Sequence, residues 1–590
     1  MRFKLQPTIL ILIQHSLRQN SVSRSKLGIA KFSTHTPPAS TWKHGLDPHK
    51  YTSGRWLKND KQEQALRFIN FDFDALCEKM IKLSGASSIT NCEKIEGGSN
   101  RVLSFMFDND KRLVAKLPFK VAGPPQLTTA SEVATVKYLQ KKTDIPIPKI
   151  LDWSSDAENH IGSEYIVMEH ATGTSVWEKW SSMTIMQRVR FIDSVYKHLK
   201  TIPKLKFHAY GSIYFDSEHM DPSFSIKALE DGFCIGPHCG RPDLLAYSNA
   251  TIDKGLAKLP ATDPDPTTLE RPLPFYQGSV ETHIKLLEHA RILLAKMSED
   301  IKVKYRALPT LFHPDLHKRN IFVSDEDLTV ITAFIDWQSA SIEPAFWYAD
   351  KTPDFVSQTP STAVEIGPAD TKTEEPRPSQ CDPETHSQNE TVTEIKEDKS
   401  RSQSNTEIET EEKKNTTMAS EHEYYTRIFD TCLTFYIPQI GIPHAMQQNI
   451  FRPFYIPGST WEEGSIKLQH ELIQLTKEWK WLGLDGECPY PAPSTEDQIV
   501  HSSRYEVYKD IQQIIPVLTD ALGVSSDSWG YPEHWGLREE THKGLYIDFL
   551  NAVENGADEN SDDIIRNEED VKSVWPFDIP VESRDSKVGL

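Results

Sequence analysis

The sequence predicts an α+β protein of two lobes: a small β-sheet lobe with one crossing helix, and a larger, mainly helical lobe. Three observations carry this. Between 93 and 170 two strand-like runs, a helical run and a further strand-like run succeed one another. Beyond 171 apolar residues recur at helical spacing, as in "MQRVRFIDSVYKHLK" and "VETHIKLLEHARILLAKM". One hairpin pattern, at 311–336, interrupts those helices. With 590 residues the chain can bury a large core.

Residues 1–46 contain no Asp or Glu; their charges are Arg2, Lys4, Arg18, Arg24, Lys26, Lys31 and Lys43, with Ser, Thr and Gln between them. An acid-free, Arg- and Ser-rich leader has the composition of a mitochondrial transit peptide, taken as 1–42, so a mitochondrial, matrix location is expected. The competing reading is a disordered basic tail. "ILILI" at 9–13 falls short of the about 20 apolar residues a membrane helix needs, and no later segment is a candidate span.

From 43 to 92 the expectation is a helical extension, since "KQEQALRFINFDFDALCEKMIKLSG" has helical spacing and stops at Gly85. The small lobe, 93–170, begins with strand-like "RVLSFMF" and "RLVAKL" around the turn residues "DNDK". "TTASEVATVKYLQKKT" reads as a helix opened by a capping box from Thr129 to Glu132. Prolines force "IPIPKILDW" to be extended, and "EYIVMEH" is a short buried strand. The large lobe, 171–354, carries the hairpin. From 355 to 421 apolar residues nearly vanish, as in "SQNETVTEIKEDKSRSQSNTEIETEEKKN", so an acidic disordered insertion is expected. Aromatic-rich helices return over 422–550 to complete the lobe, and 551–590 reads as a tail.

The formal net charge of −20 excludes a general nucleic-acid binder, which needs a basic face. The seven cysteines, at 77, 92, 234, 239, 381, 432 and 488, are scattered and odd in number, which suits reduced thiols. "CIGPHC" at 234–239 has no second ligand pair at a convincing spacing and reads as a loop.

The chemistry concentrates in "HPDLHKRN" at 313–320, which is either a polar turn or a catalytic loop. Asp315 and Asn320 lie close enough to share one mouth. Asp336, ending the returning strand in "FIDW", comes back beside them across a two-stranded hairpin. Oxygen-bearing side chains converging from paired strand ends suit Mg2+, a hard cation.

"HPDLHKRNIFV" followed by "ITAFIDWQSA" resembles the aminoglycoside phosphotransferase and choline kinase superfamily, which has the protein-kinase-like fold. The resemblance implies Asp315 as catalytic base, Asn320 and Asp336 as magnesium ligands, and ATP as phosphoryl donor. It places Lys116 of "LVAKL" on the α- and β-phosphates, paired with Glu132; alone, Lys116 reads as an exposed strand lysine and Glu132 as a cap. It makes "EGGSNRV" a phosphate-covering loop offering the N–H groups of Gly97, Gly98 and Ser99, although it is not GxGxxG. It makes "VMEHA" an adenine-binding hinge through Glu169 C=O and Ala171 N–H, with Met168 lining the pocket; the plainer reading is a core strand ending in a turn. Pro314 departs from the small residue usual in the family. His313 is expected to brace the loop, His317 to lie at the surface or substrate side, and Lys318 and Arg319 either to meet phosphate or, by default, to face solvent.

Three functions follow. One is ATP- and Mg2+-dependent phosphotransfer to a hydroxyl of an unknown small molecule inside mitochondria. Another is a catalytically weak or inactive kinase-fold protein acting as a mitochondrial maintenance, inheritance or scaffold factor, which the weak glycine loop favours. The third, AMP transfer, uses the same residues. The acceptor is not written in the sequence; "WEKW" at 177–180 and "FRPFY" at 451–455 could line a pocket or pack in the core.

Overall fold

A computed structural model describes residues 47–216, 227–356, 421–446, 448–556 and 563–580. The leader at 1–42 and nearly all of the acidic tract at 355–421 lie outside the described residues.

The small lobe is an antiparallel five-stranded sheet. Its strands are β1 (Ile89–Glu96), β2 (Asn100–Phe107), β3 (Arg112–Pro118), β4 (Ile150–Ser154) and β5 (Tyr165–Glu169), in the order β1-β2-β3-β5-β4. Strand β1 was not expected. It is an edge strand whose one buried residue is Cys92, so it lacks the alternation that announces a half-buried strand. The segment 96–100 therefore joins two paired strands.

The crossing helix α1 (Leu127–Lys142) is present, but its capping box is not. The helix starts at Leu127, which puts Thr129 inside the first turn. There Thr129 Oγ1 donates to Glu164 Oε2 at 2.6 Å, and Gln126 N–H donates to Glu164 Oε1 at 2.8 Å. A carboxylate from outside the helix thus meets its positive end. Glu132 is released to point at the sheet. Because α1 is buried against both lobes, its apolar residues form no single stripe.

The large lobe contains strands as well as helices. Tyr210–Phe215, Lys227–Ala228, Phe233–Arg241, Pro309–Leu311 and Ile342–Pro344 form a second antiparallel sheet. "CIGPHC" thus lies in a strand, not a loop, and Cys234 is buried, its thiol pushed up to about 11 by desolvation. The hairpin expected at 311–336 is present as β6 (Ile321–Val323) and β7 (Ile331–Phe334), with Ile321 opposite Phe334. A helix over 421–436 packs Tyr425 and Phe429 into the same core as Phe355 and Val356. His422 Nδ1 meets Val356 O at 2.8 Å, so the flanks of the acidic tract adjoin, as an insertion requires.

The described residues of 551–590, at 551–556 and 563–580, are not simply a tail. Helices Thr495–Leu522, Trp535–Gly556 and Glu568–Val574 enclose a separate core that includes Ile511, Leu518, Phe549, Trp575 and Phe577. The N-terminal extension docks on this module: Arg55–Trp56 pairs antiparallel with Trp529–Gly530, and Asp578 N–H donates to Leu57 O at 3.0 Å.

Burial keeps three imidazoles of this region neutral. His470 is pulled down from 6.5 to about 3, and His501 and His542 to about 4. Trp575 Nε1–H donates to His542 Nε2 at 3.0 Å, which requires an unprotonated nitrogen there. The unfolded chain takes up these protons near 6.5 and the folded chain only far below. Their contribution to stability is therefore full above that pH and shrinks as pH falls. Thermal melts between about pH 7.5 and about pH 4.5 should show a level Tm that drops below pH 6.5. A Tm flat across that range would contradict the neutral imidazoles.

Candidate functional site

Lys116 projects from β3 into the space between the sheet and α1, where it is buried. Its Nζ donates to Glu132 Oε1 and Oε2 at 2.7 and 2.9 Å and to Asp336 Oδ1 at 2.7 Å. Burial alone would disfavour the ammonium. The two carboxylates overcome that and push Lys116 up to about 12. Asp336 feels the converse: burial works upward, and Lys116 outweighs it, holding the carboxyl below its usual 3.8. Lys116 is thus neither an exposed strand lysine nor idle.

Asp336 sits just past β7 with φ at +62°, the left-handed region an L-residue rarely adopts. Such a backbone persists only where its surroundings impose it. Ile335 N–H donates to Asn320 O at 3.0 Å, so the hairpin pins the loop asparagine beside the residue preceding Asp336.

The loop before β6 is a closed hydrogen-bond circuit around Asp315. His313, buried, accepts Asp315 N–H on Nδ1 at 3.1 Å and donates Nε2–H to Ile335 O at 2.9 Å. Its ring stands edge-on to Trp337 at 4.6 Å, and burial lowers its pKa. A neutral, Nε2-protonated imidazole therefore braces the loop, as expected. Asn320 Nδ2 donates to Asp315 O and Oδ2 at 2.9 and 2.8 Å, so of its amide atoms the oxygen is the one that could serve a cation. Asp336 keeps Oδ2 beyond its bond to Lys116. Two such oxygens fit Mg2+, whose remaining positions are ordinarily taken by phosphate and water. Among the described residues there is no group of three or more His, Cys, Asp or Glu placed to hold a metal.

Arg319 and Lys318 depart from the solvent-facing default, while His317 lies half-buried beside Asp315. Arg319 does not simply face solvent: its Nη2 bonds Asp315 Oδ2 at 2.6 Å. His317 Nε2 lies 3.1 Å from Asp315 Oδ1, while its Nδ1 accepts Asp354 N–H at 3.1 Å. Lys318 is largely covered, with Nζ over the rings of Trp177 and Trp180 at 5.4 and 5.2 Å and 3.8 Å from Asp354. Asp354 also accepts Lys318 N–H at 2.8 Å. It is a loop anchor that sequence reasoning missed, because nothing in "KTPDF" distinguishes it from the acidic tract that follows.

The hairpin tip 96–101 faces this constellation. Gly97 N–H is committed to Asn100 O at 3.0 Å, so of the three N–H groups expected to meet phosphate only those of Gly98 and Ser99 qualify. Neither Gly97 nor Gly98 has positive φ, and a Cβ on Gly98 would meet nothing within 4 Å. The space in front of Gly98 is open. Asn100 Nδ2 bonds Gln338 Oε1, tying the tip to the turn that follows Asp336. At the other edge Met168 is half-buried against the large-lobe core, Glu169 N–H donates to Lys149 O at 3.0 Å, and Ala171 is buried. The structure thus brings Lys116, Glu132 and Asp336 into one set of contacts and Asp315 and Asn320 into another, the two joined through the bond of Ile335 N–H to Asn320 O.

A small sheet lobe with a buried Lys–Glu pair, a helical lobe with an Asp–Asn loop and an Asp-bearing hairpin between them define a kinase-like fold. Residues 92–347 match the phosphotransferase enzyme family. A subtelomeric hrmA-associated cluster protein of Aspergillus fumigatus (strain CBS 144.89) is 24% identical over 514 residues, 79% of this chain and 94% of that protein. The altered inheritance of mitochondria protein 9, mitochondrial, of Candida albicans (strain SC5314) is 24% identical over 372 residues. That match takes in 50% of this chain and 59% of its relative, so little more than half of the latter is represented. Among solved structures, a thermostable mutant of aminoglycoside phosphotransferase APH(4)-Ia, apo form, aligns at 16% identity and a TM-score of 0.27, over 46% of this chain and 75% of the other.

Proposed function

We propose that the protein is a mitochondrial, ATP- and Mg2+-dependent phosphotransferase that acts on a hydroxyl of a small molecule. The observation that carries this is Lys116, buried between Glu132 and Asp336 with 2.7 Å contacts to both. Two carboxylates and one ammonium sharing a cleft form an unbalanced, partly open cluster. An added cation and a polyphosphate would complete it.

In this reading Lys116 holds the α- and β-phosphates and Glu132 fixes its direction. Gly98 and Ser99 N–H groups cover the phosphates. Glu169 C=O and Ala171 N–H meet the adenine beside Met168. Asn320 and Asp336 hold Mg2+, which when bound neutralises charge on the phosphate oxygens. Asp315 accepts the proton of the acceptor hydroxyl through Oδ1 or Oδ2, displacing His317 or Arg319 from whichever oxygen is used. The acid-free leader, with a relative named as mitochondrial, supports the compartment, the matrix being the natural destination of such a leader.

Mg-ATP should raise the Tm of the wild-type protein, since a ligand at about 100 times its Kd stabilises by about 2.7 kcal/mol. Asp336→Ala should lose the magnesium-dependent part of that rise. A wild-type Tm that does not respond to Mg-ATP would sink the proposal.

A further inference from the structure

Behind the 96–101 hairpin lies a network that the phosphotransfer reading does not use. Glu96 and Arg101 are register partners at its base, their side chains fully buried and 2.8 Å apart. Glu96 Oε2 accepts Thr52 N–H at 2.7 Å and Ser53 N–H at 3.2 Å. Arg101 Nη1 donates to Pro48 O and His49 O at 2.8 and 2.9 Å. At the tip, buried Arg67 donates Nε–H to Gly98 O at 3.1 Å, its guanidinium 4.3 Å from the Trp56 ring centre. Residues 47–67 are therefore a strap gripping both base and tip of the hairpin from one side.

The other end of the strap belongs to the C-terminal helical module. Besides the strand pair 55–56 with 529–530, Leu57 N–H donates to Ser528 O at 3.1 Å and Asn59 N–H to Asp578 Oδ2 at 2.8 Å. The Trp529 indole lies against Gly54, where a Cβ would fall 1.9 Å from its Nε1. Buried charges such as Glu96 and Arg101 add little net stability when a well-packed apolar pair could replace them; what they supply is a fixed direction.

We propose that the strap is a positioning device through which the docked C-terminal module sets the phosphate-covering hairpin, with Arg67 as its positioning residue. The geometry of one peptide unit shows how. In a trans peptide the C=O and the following N–H point in opposite directions. Holding Gly98 O against Arg67 therefore aims Ser99 N–H away from the strap, towards the open face of the tip. The device rests on reading 96–101 as the phosphate cover, and anything that undocks the module would loosen that cover without touching Lys116, Asp315 or Asp336.

The test uses the full chain and three variants. Arg67→Met removes the bond to Gly98 and Arg67→Lys restores a cation. Gly54→Ala pushes Trp529 off the strap from the far end. Amide hydrogen exchange of 96–101 is read without nucleotide, and affinities for Mg-ATP and for adenosine are read by thermal shift. Arg67→Met and Gly54→Ala should both speed exchange at the hairpin. Both should weaken Mg-ATP by about fivefold, the worth of about one hydrogen bond, and leave adenosine unchanged. Arg67→Lys should recover part of the loss. Unchanged exchange in both variants, or equal losses of Mg-ATP and adenosine, would overturn the proposal. If the wild type takes up neither ligand, the phosphotransfer reading fails, and the exchange result alone decides the strap. Should Arg67→Met not fold, Gly54→Ala carries the same test.

Discussion

Asp315→Asn should fold and bind Mg-ATP as the wild type does, yet lose phosphoryl transfer by about 10²–10⁴-fold, the range that removal of a general base spans. The asparagine's oxygen can still accept from Arg319 and Asn320, while its NH2 faces the Nε2–H of His317, so the loop keeps its shape less one bond. It cannot accept the hydroxyl proton. Asp315→Ala should match it in rate and add a stability loss, because Arg319 and Asn320 Nδ2 then lack their shared acceptor. Transfer of γ-phosphate from labelled ATP in a metabolite screen gives the readout, and the labelled product also separates phosphoryl from AMP transfer. An Asp315→Asn protein that keeps more than about a tenth of wild-type turnover would remove Asp315 from the base role.

Lys116→Met carries the largest expected change in stability. Deleting one member of a buried ion pair strands the other, a loss of about 3–5 kcal/mol. Here Glu132 is the member stranded, since it is buried and Lys116 supplies both of its bonds. Asp336 is partly exposed and suffers less. Urea unfolding of Lys116→Met, Glu132→Gln and the double variant forms a cycle. The double variant should recover most of the stability, because neither partner is then a lone buried charge. Neither Lys116→Met nor the double variant should regain Mg-ATP binding. A single Lys116→Met as stable as the wild type would show that the pair is not charged in the folded protein.

What could be read in the sequence follows from distance along it. Asp315, Asn320 and Asp336 belong to one loop and one hairpin, so spacing alone brings them together. Lys116 and Glu132 needed the family resemblance, because Thr129 and Glu132 imitate a helix cap that the folded chain makes from Glu164 instead. Strand β1 and the strand holding Cys234 were hidden by weak alternation and by a glycine and proline run. The last folded stretch was hidden by composition: "VENGADENSDDIIRNEED" is polar enough to resemble a tail, although Val571, Val574, Trp575 and Phe577 beyond it are buried. Supports such as Asp354 and Arg67 carry no pattern at all. Each acts on a backbone atom, and backbone atoms are the same in every residue.

The bond from Asn59 to Asp578 joins positions 519 residues apart. Sheet β1–β5 can form from contacts among residues 89–169, whereas the seat of the strap, at 528–530 and 578, is synthesised long after them. Contacts of such long range form late, after their loop-closure cost has been met. The sheet lobe is thus finished only after the helices that follow residue 495 arrive, and a chain broken off before them would hold Lys116, Asp315 and Asp336 under an unsupported hairpin. Arrival of those helices and readiness of the hairpin are one event.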